Sequence, residues 1–350
     1  MRGWEKNVRK VTPYTPGEQP ALDHLIKLNT NENPYPPAPG VSQALLDMEA
    51  DCFRKYPDPA SRLLSRTLSQ RYGVKEEQVF VGVGSDDVLG MAFMTFFNSD
   101  KPILFPDITY SFYPVWAELF HIPYQTKSLD ADFKIVKEDY LEENGGIIFP
   151  NPNAPTGLLM PLGEVEEIVA KNPASVVIVD EAYIDFGGQS AVSLIDKYDN
   201  LLVVQTFSKS RSMAGVRIGF ALGQPELIRA MSDVKYSYNS YTMNLPSQIL
   251  GVKALEDEEY FQSTTGKIIK TREMAKLRLR ELGFSFPDSQ ANFIFATHST
   301  KQAKEIFQAL KDNHIYVRYF DQPRIDNYLR ITIGSDKEME ALFSFLEEYL

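Results

Sequence analysis

Short apolar runs alternate with longer amphipathic segments along most of the chain. Runs of strand length lie at 102–105, 146–149, 174–179 and 201–206, and a further apolar segment lies near 217–222. Apolar residues at helical spacing occur at 41–49, around 63–72, from about 110 and at 162–170. Strands that alternate with helices predict a mostly parallel sheet covered on both faces, and thus an α/β fold.

The last third of the chain has a different pattern. Beyond Gln224 it becomes helical, with one long helix predicted from about 246 to 282. Strands follow at 292–296, 315–318 and 328–333, with helices at 300–312 and from 336. Residues 1–36 are rich in Pro, Asn and Tyr and predict an irregular arm. We therefore predict an arm (1–36), a large domain (37–245) and a smaller C-terminal domain (246–350) that part of the N-terminal region joins.

Composition narrows the class of protein. The chain has 350 residues, of which 43% are hydrophobic and 24% charged, so it can bury a large core. A net charge of −11 argues against a nucleic-acid surface. The single Cys52 cannot form an internal disulfide, the N-terminus has no apolar signal core, and no run approaches the roughly 18 apolar residues of a membrane helix. We expect a cytoplasmic protein that binds neither nucleic acid nor membrane.

One apolar run ends abruptly in a carboxylate. Asp180 follows the run Val176–Val179, and Tyr183 comes three residues later. Strand ends in open α/β sheets point into the ligand crevice. An aspartate there can keep a pyridine nitrogen protonated, and a phenol can hydrogen-bond an oxygen on the same ring.

A lysine among hydroxyl residues follows the next strand. Thr206, Ser208 and Lys209 lie close together, and Arg217 comes eight positions after the lysine. A lysine amine can form a Schiff base with an aldehyde, while hydroxyls and a guanidinium can bind a phosphate. A solvated loop rich in Ser, Lys and Arg would have the same composition, so this stretch alone leaves both interpretations open.

A glycine turn precedes a third group of polar residues. The strand around 78–83 runs into Gly84, Ser85 and Asp86, where the free N–H groups of a helix N-terminus can bind an anion. Gly82 and Gly84 could also open a G-x-G-x-x-G dinucleotide fingerprint, but Asp87 stands in place of its third glycine. A nicotinamide-dependent oxidoreductase is therefore a weak alternative.

Two motifs together resemble a known family. The chain reads D-x-A-Y from Asp180 to Tyr183, and S-K-x-x-x-x-A-G-x-R-x-G from Ser208 to Gly219. In this pattern it resembles the fold-type I pyridoxal-phosphate aminotransferases, over nearly all of its length. The resemblance implies a mostly parallel sheet flanked by helices in the large domain, a smaller C-terminal α/β domain and an N-terminal arm. It also implies pyridoxal 5′-phosphate as cofactor, with Lys209, Asp180 and Tyr183 as catalytic residues.

The resemblance further implies contacts for residues that look ordinary by themselves. Tyr110 would stack on the cofactor ring. Tyr56, in the segment Arg54–Pro59, would reach the cofactor phosphate of the neighbouring subunit in a homodimer with shared sites. The groups implied around the phosphate are the amides of the glycine turn and the polar residues after the later strand: Gly84, Ser85, Asp86, Thr206, Ser208 and Arg217.

The chain departs from the family pattern at one cofactor contact. Residues 151–157 read N-P-N-A-P-T-G, which resembles N-P-N-N-P-T-G, and Ala154 replaces the asparagine that binds the phenolic oxygen of the cofactor. Either Asn153 replaces that asparagine or Tyr183 serves the oxygen alone. We favour Asn153 as the replacement.

Two arginines and a tyrosine are candidates for substrate binding. Arg330 interrupts an apolar strand, where a guanidinium usually binds carboxylate or phosphate, and Arg318 ends the preceding strand and could converge with it. In the family, the R-x-T-x-G arginine, here Arg330, binds the substrate carboxylate. The subgroup that aminates histidinol phosphate carries an arm whose tyrosine contacts substrate, which implies Tyr14 here. A surface tail is the alternative for the arm.

The function that the resemblance implies is amino transfer between histidinol phosphate and 2-oxoglutarate, with glutamate as the amino-acid partner. An aromatic-amino-acid aminotransferase or a threonine-phosphate decarboxylase on the same scaffold are alternatives, as is a cofactor-binding protein without turnover. His24, His121, His298 and His314 lack metal-ligand spacing, so we expect no metal site.

Overall fold

The computed structural model describes residues 2–20 and 25–350. Arm residues 21–24, which include His24, therefore lie outside the described residues. The helices are α1 (Pro39–Leu46), α2 (Arg62–Tyr72), α3 (Ser85–Phe96), α4 (Phe112–Phe120), α5 (Leu162–Lys171), α6 (Pro225–Tyr238), α7 (Leu245–Glu256), α8 (Glu258–Glu281), α9 (Ala303–Asp312) and α10 (Asp336–Tyr349). The strands are β1 (Ile26–Lys27), β2 (Val79–Gly82), β3 (Ile103–Pro106), β4 (Tyr124–Lys127), β5 (Gly146–Pro150), β6 (Val177–Asp180), β7 (Leu201–Thr206), β8 (Gly219–Gly223), β9 (Phe284–Ser285), β10 (Phe293–His298), β11 (Ile315–Tyr316), β12 (Arg318–Tyr319) and β13 (Leu329–Thr332).

A seven-stranded sheet with the order β2-β8-β7-β6-β5-β3-β4 organises the larger part of the chain. Neighbouring strands within this sheet are parallel, except that β8 runs antiparallel to both β2 and β7. The carboxyl ends of β5, β6 and β7 therefore lie at one edge of the sheet. In open α/β sheets that edge is where ligands bind.

Both faces of this sheet are buried. Val177 and Val179 of β6 belong to the apolar core on one face, whereas Ile178 between them belongs to the core on the other face. Successive side chains of a strand point to opposite faces, so a strand buried on both sides needs a continuous apolar run. This explains why the central strands stand out as short apolar runs, and the predicted α/β fold is confirmed.

A second core forms around a four-stranded antiparallel sheet with the order β12-β13-β10-β9. Helices α8, α9 and α10 contribute apolar residues to it, including Ile268, Ile306 and Leu342. The N-terminal region joins this core, since β1 pairs in parallel with β11 and Leu28 is buried in it.

The predicted helix at 246–282 is wrong, because two helices occupy this stretch. The backbone of Asp257 leaves the helical region, and its side chain accepts a hydrogen bond from the backbone N–H of Tyr260 as the N-cap of α8. Leu250 and Leu255 of α7 pack in the core of the large sheet, while α8 reaches the second core. We therefore propose that the domain boundary lies at Asp257 rather than between residues 245 and 246.

The predicted strand at 315–318 is also two elements. Ile315 and Tyr316 pair with β1, whereas Arg318 and Tyr319 pair with β13. Val317 lies between them, so the chain changes sheets at that residue. The change brings Arg318 directly opposite Arg330 of β13 in the antiparallel register.

Candidate active site

Two adjoining cavities open at the carboxyl edge of the large sheet. We call the first the inner cavity, with a volume of about 110 Å³, and the second the outer cavity, with about 190 Å³. Four residues line both cavities: Tyr110, Ala154, Tyr183 and Lys209. Asp180 and Arg217 lie on the inner side, while Arg318 and Arg330 lie on the outer side. The lysine is thus at the junction between the two.

Lys209 follows β7 and points its amine into this junction. Its Nζ donates to the backbone oxygen of Thr30 at 2.9 Å and lies 5.9 Å from the centre of the Tyr183 ring. Burial, and then the positive charge of Arg330, lower the pKa of Lys209 to about 8. The amine is therefore deprotonated more readily than an ordinary lysine, as a nucleophile or a base requires.

Asp180 ends β6 at the floor of the inner cavity and is buried. The Tyr113 hydroxyl donates to its Oδ2 at 2.9 Å, and the Ala182 N–H donates to Oδ1 at 3.3 Å. Burial raises the pKa of Asp180 to about 6, and the nearby charge of Asp86 acts in the same direction. A buried carboxylate of this kind is stabilised by a cation placed against it, as a protonated ring nitrogen would be.

The opposite end of the inner cavity collects donors for an anion. Helix α3 begins at Ser85, and its N-cap Gly84 makes no side-chain capping bond, so the N–H groups of the first turn are free for a ligand. Gly84 has φ 86°, and a Cβ there would come within 2.5 Å of Arg217 Nη2, so glycine is needed for the guanidinium to approach. Thr206 and Ser208 line the same end, with their hydroxyl oxygens 2.9 Å apart.

The side chain of Asp86 connects this end to the aromatic wall. Its Oδ2 accepts from Arg217 Nη2 at 3.1 Å, and its Oδ1 accepts from the Tyr110 hydroxyl at 2.7 Å. Asp86 therefore orients a guanidinium and a ring that both line the inner cavity. Sequence alone had indicated only the backbone amide of Asp86.

These groups together fit a pyridine aldehyde that carries a phosphate. Lys209 offers an amine for the aldehyde and Asp180 a carboxylate for the ring nitrogen, and the start of α3 with Arg217 offers donors for the phosphate. The free N–H groups and the guanidinium converge without a Cβ at Gly84 to obstruct them. We infer that the inner cavity is a site for such a cofactor.

The structure does not bring Asn153 into either cavity. Its Oδ1 accepts from Thr109 Oγ1 at 3.0 Å, and its Nδ2 donates to the Ile108 oxygen at 3.0 Å and to Thr156 Oγ1 at 3.2 Å. These bonds occupy both ends of a fully buried amide, so the preferred role of Asn153 as a replacement for the missing asparagine is wrong. Ala154 lines both cavities in its place.

The amide that does contact Tyr183 belongs to Asn31. Its Nδ2 donates to the Tyr183 hydroxyl at 2.9 Å. Sequence reasoning missed Asn31, because it lies in a Pro- and Asn-rich stretch without periodicity and 152 positions from its partner. The N-E-N-P run at 31–34 was a signal for a turn but not for a site.

Arg318 and Arg330 face the outer cavity from neighbouring strands. Arg330 Nη2 donates to the Asn29 oxygen at 2.9 Å, and its Nε is buried without a hydrogen-bond partner among the described residues. Phe320 lies under both guanidinium groups, at 5.5 Å from Arg318 and 5.7 Å from Arg330. Two cations with unused donors at one cavity favour an anionic ligand, and above all one with more than one charge.

The N-terminal arm covers the outer cavity. Tyr14 lines it and stacks on Phe112, with ring centres 4.2 Å apart. A further cavity of about 380 Å³ continues under the arm between Tyr14, Glu118 and Gln322. In the described residues 12–17 the arm is therefore part of the cavity wall rather than a free tail.

Tyr56 does not join the other predicted residues within this chain. Its side chain is 81% exposed and packs on Tyr241, with ring centres 4.6 Å apart. Two helices fix the loop that carries Tyr56. Lys235 Nζ of α6 donates to the Pro59 oxygen at 2.7 Å, and Gln248 Nε2 of α7 donates to the Asp58 oxygen at 3.0 Å. Tyr56 is thus presented outward on a fixed loop.

Two further observations concern the described residues only. Within residues 2–20 and 25–350, no three His, Cys, Asp or Glu side chains are grouped so that they could hold a metal ion. No helix in those ranges is long and apolar enough to span a membrane.

Comparison with known proteins gives a consistent picture. The family described as aminotransferase class I and II matches residues 23–346. A histidinol-phosphate aminotransferase of Hydrogenovibrio crunogenus is 54% identical over 347 residues, which cover 99% of this chain and 98% of that protein.

Solved structures agree on the fold. A histidinol-phosphate aminotransferase of Sinorhizobium meliloti, in complex with pyridoxal-5′-phosphate, superposes with a TM-score of 0.85 at 23% identity, over 92% of this chain and 91% of that one. An L-threonine-O-3-phosphate decarboxylase of Porphyromonas gingivalis superposes with a TM-score of 0.78 at 18% identity, over 92% and 98% of the two chains. Because the same fold carries two reactions, substrate has to be argued from the site and from the closer relative.

Proposed function

The chain belongs to the class I and II aminotransferases, and we propose that it transfers the amino group of L-histidinol phosphate to 2-oxoglutarate, giving imidazole acetol phosphate and L-glutamate. This reaction is a step of histidine biosynthesis. The observation that carries the choice of substrate is the pair Arg318 and Arg330, which lie opposite each other at a cavity that Lys209 also lines.

We propose pyridoxal 5′-phosphate as the cofactor of the inner cavity. When bound, it supplies an aldehyde that combines with amines and a protonated ring that withdraws electrons from them. Lys209 would hold the aldehyde end, and Asp180 would keep the ring nitrogen protonated. The start of α3, Ser208 and Arg217 would hold the phosphate, and Tyr110 would pack on the ring.

Lys209 is the group that we assign to proton transfer. Its pKa, lowered to about 8, makes the neutral amine more accessible near neutral pH than in an ordinary lysine, so it can take a proton from the substrate α-carbon and return it elsewhere. Its position at the junction lets one amine serve both the inner and the outer cavity. Tyr110 and the arm residue Tyr14 cover this region and help to exclude water.

The outer cavity has to accept two unlike substrates. Glutamate presents an α-carboxylate, whereas histidinol phosphate presents a phosphorylated hydroxymethyl group. A guanidinium fork can bind either, because carboxylate and phosphate both accept two parallel N–H bonds. We assign this common role to Arg330, and we assign to Arg318, with Tyr14, the additional binding that a phosphate needs.

A comparison of substrates tests this proposal against its alternatives. Purified enzyme should be assayed in three separate reactions, each with 2-oxoglutarate and one amino donor: L-histidinol phosphate, L-phenylalanine or L-threonine phosphate. We expect the highest kcat/KM with L-histidinol phosphate and no release of CO₂ from L-threonine phosphate. A preference for phenylalanine would favour an aromatic-amino-acid aminotransferase, and CO₂ release would favour a decarboxylase.

We also propose that the working unit is a homodimer in the cytoplasm. Tyr56, Leu46, Phe53 and Tyr238 are large apolar side chains that are all more than half exposed. Exposed apolar side chains on a fixed loop, as at Tyr56, are what a protein-protein interface would cover. If Tyr56 enters the partner's inner cavity, each site is completed by the other subunit. The cytoplasmic location rests on the biosynthetic role and on the single cysteine.

A further inference from the structure

The Tyr183 hydroxyl is oriented from the N-terminal segment. Tyr183 lines both cavities, and its ring is fixed edge-on against Phe293 with centres 5.0 Å apart. Its neighbour Ala154 also lines both cavities but has no polar side-chain atom. Hydrogen bonding to a ligand on this side therefore depends on the direction in which the Tyr183 hydroxyl proton points.

A chain of hydrogen bonds fixes the orientation of the Asn31 amide. The Asn31 backbone N–H donates to Thr332 Oγ1 at 3.0 Å, and the Thr332 hydroxyl donates to Asn31 Oδ1, also at 3.0 Å. Since Oδ1 faces Thr332, Nδ2 is turned toward Tyr183, to whose hydroxyl it donates at 2.9 Å. The Tyr183 oxygen is thus the acceptor, and its own proton is left for an acceptor in the cavity.

Asn31 itself cannot easily move. It is 1% exposed and has φ 57°, a left-handed conformation that asparagine tolerates better than most residues. Its backbone oxygen accepts from Asn292 Nδ2 at 3.0 Å, and the neighbouring Leu28 oxygen accepts from the Thr332 N–H at 3.0 Å. The segment is therefore fixed to the smaller domain. Tyr183 follows β6 of the large sheet, and its ring packs on Phe293 in the core of the smaller domain.

From this geometry we propose that Asn31 is a positioning residue for the amino-transfer reaction. It directs the Tyr183 hydroxyl proton into the cavity, toward an anionic oxygen of the bound cofactor, from a segment that is hydrogen-bonded to Thr332 and Asn292. A hydrogen bond given to an anionic oxygen stabilises the ionised form and lowers its pKa. The inference rests on the proposed function, because it concerns a cofactor of that reaction.

Asn31→Gly is the variant that tests it. Glycine adopts φ 57° without strain, so the backbone can keep its path while the amide is removed. The readout is the pH midpoint of the visible absorbance change of the bound cofactor, recorded without substrate. We expect this midpoint to rise by roughly half to one pH unit, the size of an ordinary hydrogen bond lost.

Tyr183→Phe and the double variant make the test specific. Tyr183→Phe should raise the midpoint by at least as much as Asn31→Gly. In the Tyr183→Phe background, Asn31→Gly should add no further shift, because the amide then has no hydroxyl to direct. Equal and additive shifts from the two single variants would overturn the inference, since the residues would then act separately.

A second variant covers the case in which Asn31→Gly does not fold. Thr332→Val keeps Asn31 but removes the hydroxyl that orients Oδ1, and we expect a smaller rise in the same direction. An unchanged midpoint in a folded Asn31→Gly protein, or in Thr332→Val when the former does not fold, would overturn the inference. If the unaltered enzyme neither binds pyridoxal phosphate nor transfers an amino group, the proposed function fails instead.

Discussion

Asp180 illustrates how a single buried charge can define a site. Its carboxylate ends an apolar strand, and burial raises its pKa to about 6. Tyr113 and Ala182 offer two neutral donors, but no described residue forms a salt bridge with it. A buried carboxylate without a cation is unfavourable, which supports the assignment of a cationic ring nitrogen as its partner.

We expect Asp180→Asn to retain the cofactor but to lose at least about a hundredfold in single-turnover rate, because a neutral amide cannot keep the ring nitrogen protonated. The rate is measured from the change in cofactor absorbance after mixing with L-histidinol phosphate. Tyr113→Phe is the matched control, since it removes one hydrogen bond to Asp180 and leaves the charge. Equal rates for the Asp180→Asn enzyme and the parent would reject the assignment.

Lys209 leads to a prediction about pH. Only the neutral amine attacks an aldehyde, so the rate at which cofactor-free enzyme combines with pyridoxal phosphate should rise with pH, with its midpoint at about 8, the pKa of Lys209. Arg330 lowers this pKa through its charge, so Arg330→Met should move the midpoint to higher pH. A midpoint near the ordinary lysine value of 10.5 in the unaltered enzyme would contradict the account.

At the scale of elements, the antiparallel register of β12 and β13 places Arg318 and Arg330 side by side. Residues directly opposite each other in an antiparallel pair project from the same face of the sheet. Two neighbouring strands therefore supply two cations to one cavity, although the arginines are separated by a loop of nine residues between β12 and β13.

This arrangement predicts unequal effects on the two half-reactions. Arg318→Ala should weaken the binding of L-histidinol phosphate by roughly 1.5 to 3 kcal/mol, the value of a charge-assisted hydrogen bond. The binding of glutamate should be weakened much less. Arg330→Ala should impair both, because both anions use its fork. Each half-reaction is followed separately by cofactor absorbance, and an equal loss for the two substrates in the Arg318 variant would mean that the phosphate lies elsewhere.

Elements with a strong apolar signal were predictable from sequence. The strand at 201–206 was placed as observed, because β7 is buried along its whole length. Strand β4, with the sequence Tyr-Gln-Thr-Lys, was missed because it is a largely exposed edge strand without an apolar run. The break at Asp257 was missed because a capping aspartate in a polar helix does not interrupt its apolar spacing.

The placement of residues at the candidate site was predictable where they lie in local motifs, as for Lys209 and Asp180, which line the same cavity. It was not predictable where a contact depends on how distant segments dock. Asn153 stood next to the position left vacant by Ala154, but its amide is used within its own loop. Asn31 reaches Tyr183 through a segment held by Thr332 and Asn292, more than 250 positions away along the chain.

At the scale of the whole molecule, the outward position of Tyr56 supports the proposal of a second subunit. If it serves the neighbouring subunit, mixing Tyr56→Phe enzyme with Lys209→Ala enzyme should form hybrid dimers in which one site has both residues native. Activity should then exceed that of either variant alone. An active enzyme with the mass of a monomer in solution would contradict this prediction, and unmixed variants at the same total concentration serve as controls.

The most direct test of the account is a single half-reaction. Enzyme loaded with pyridoxal phosphate is mixed with excess L-histidinol phosphate in the absence of 2-oxoglutarate, and imidazole acetol phosphate is quantified. We expect about one product molecule per site, then an equal amount of L-glutamate when the excess L-histidinol phosphate has been removed and 2-oxoglutarate is added, and almost none of either with Lys209→Ala. If no imidazole acetol phosphate forms, or if Lys209→Ala produces it near the parent rate, the central claim is contradicted.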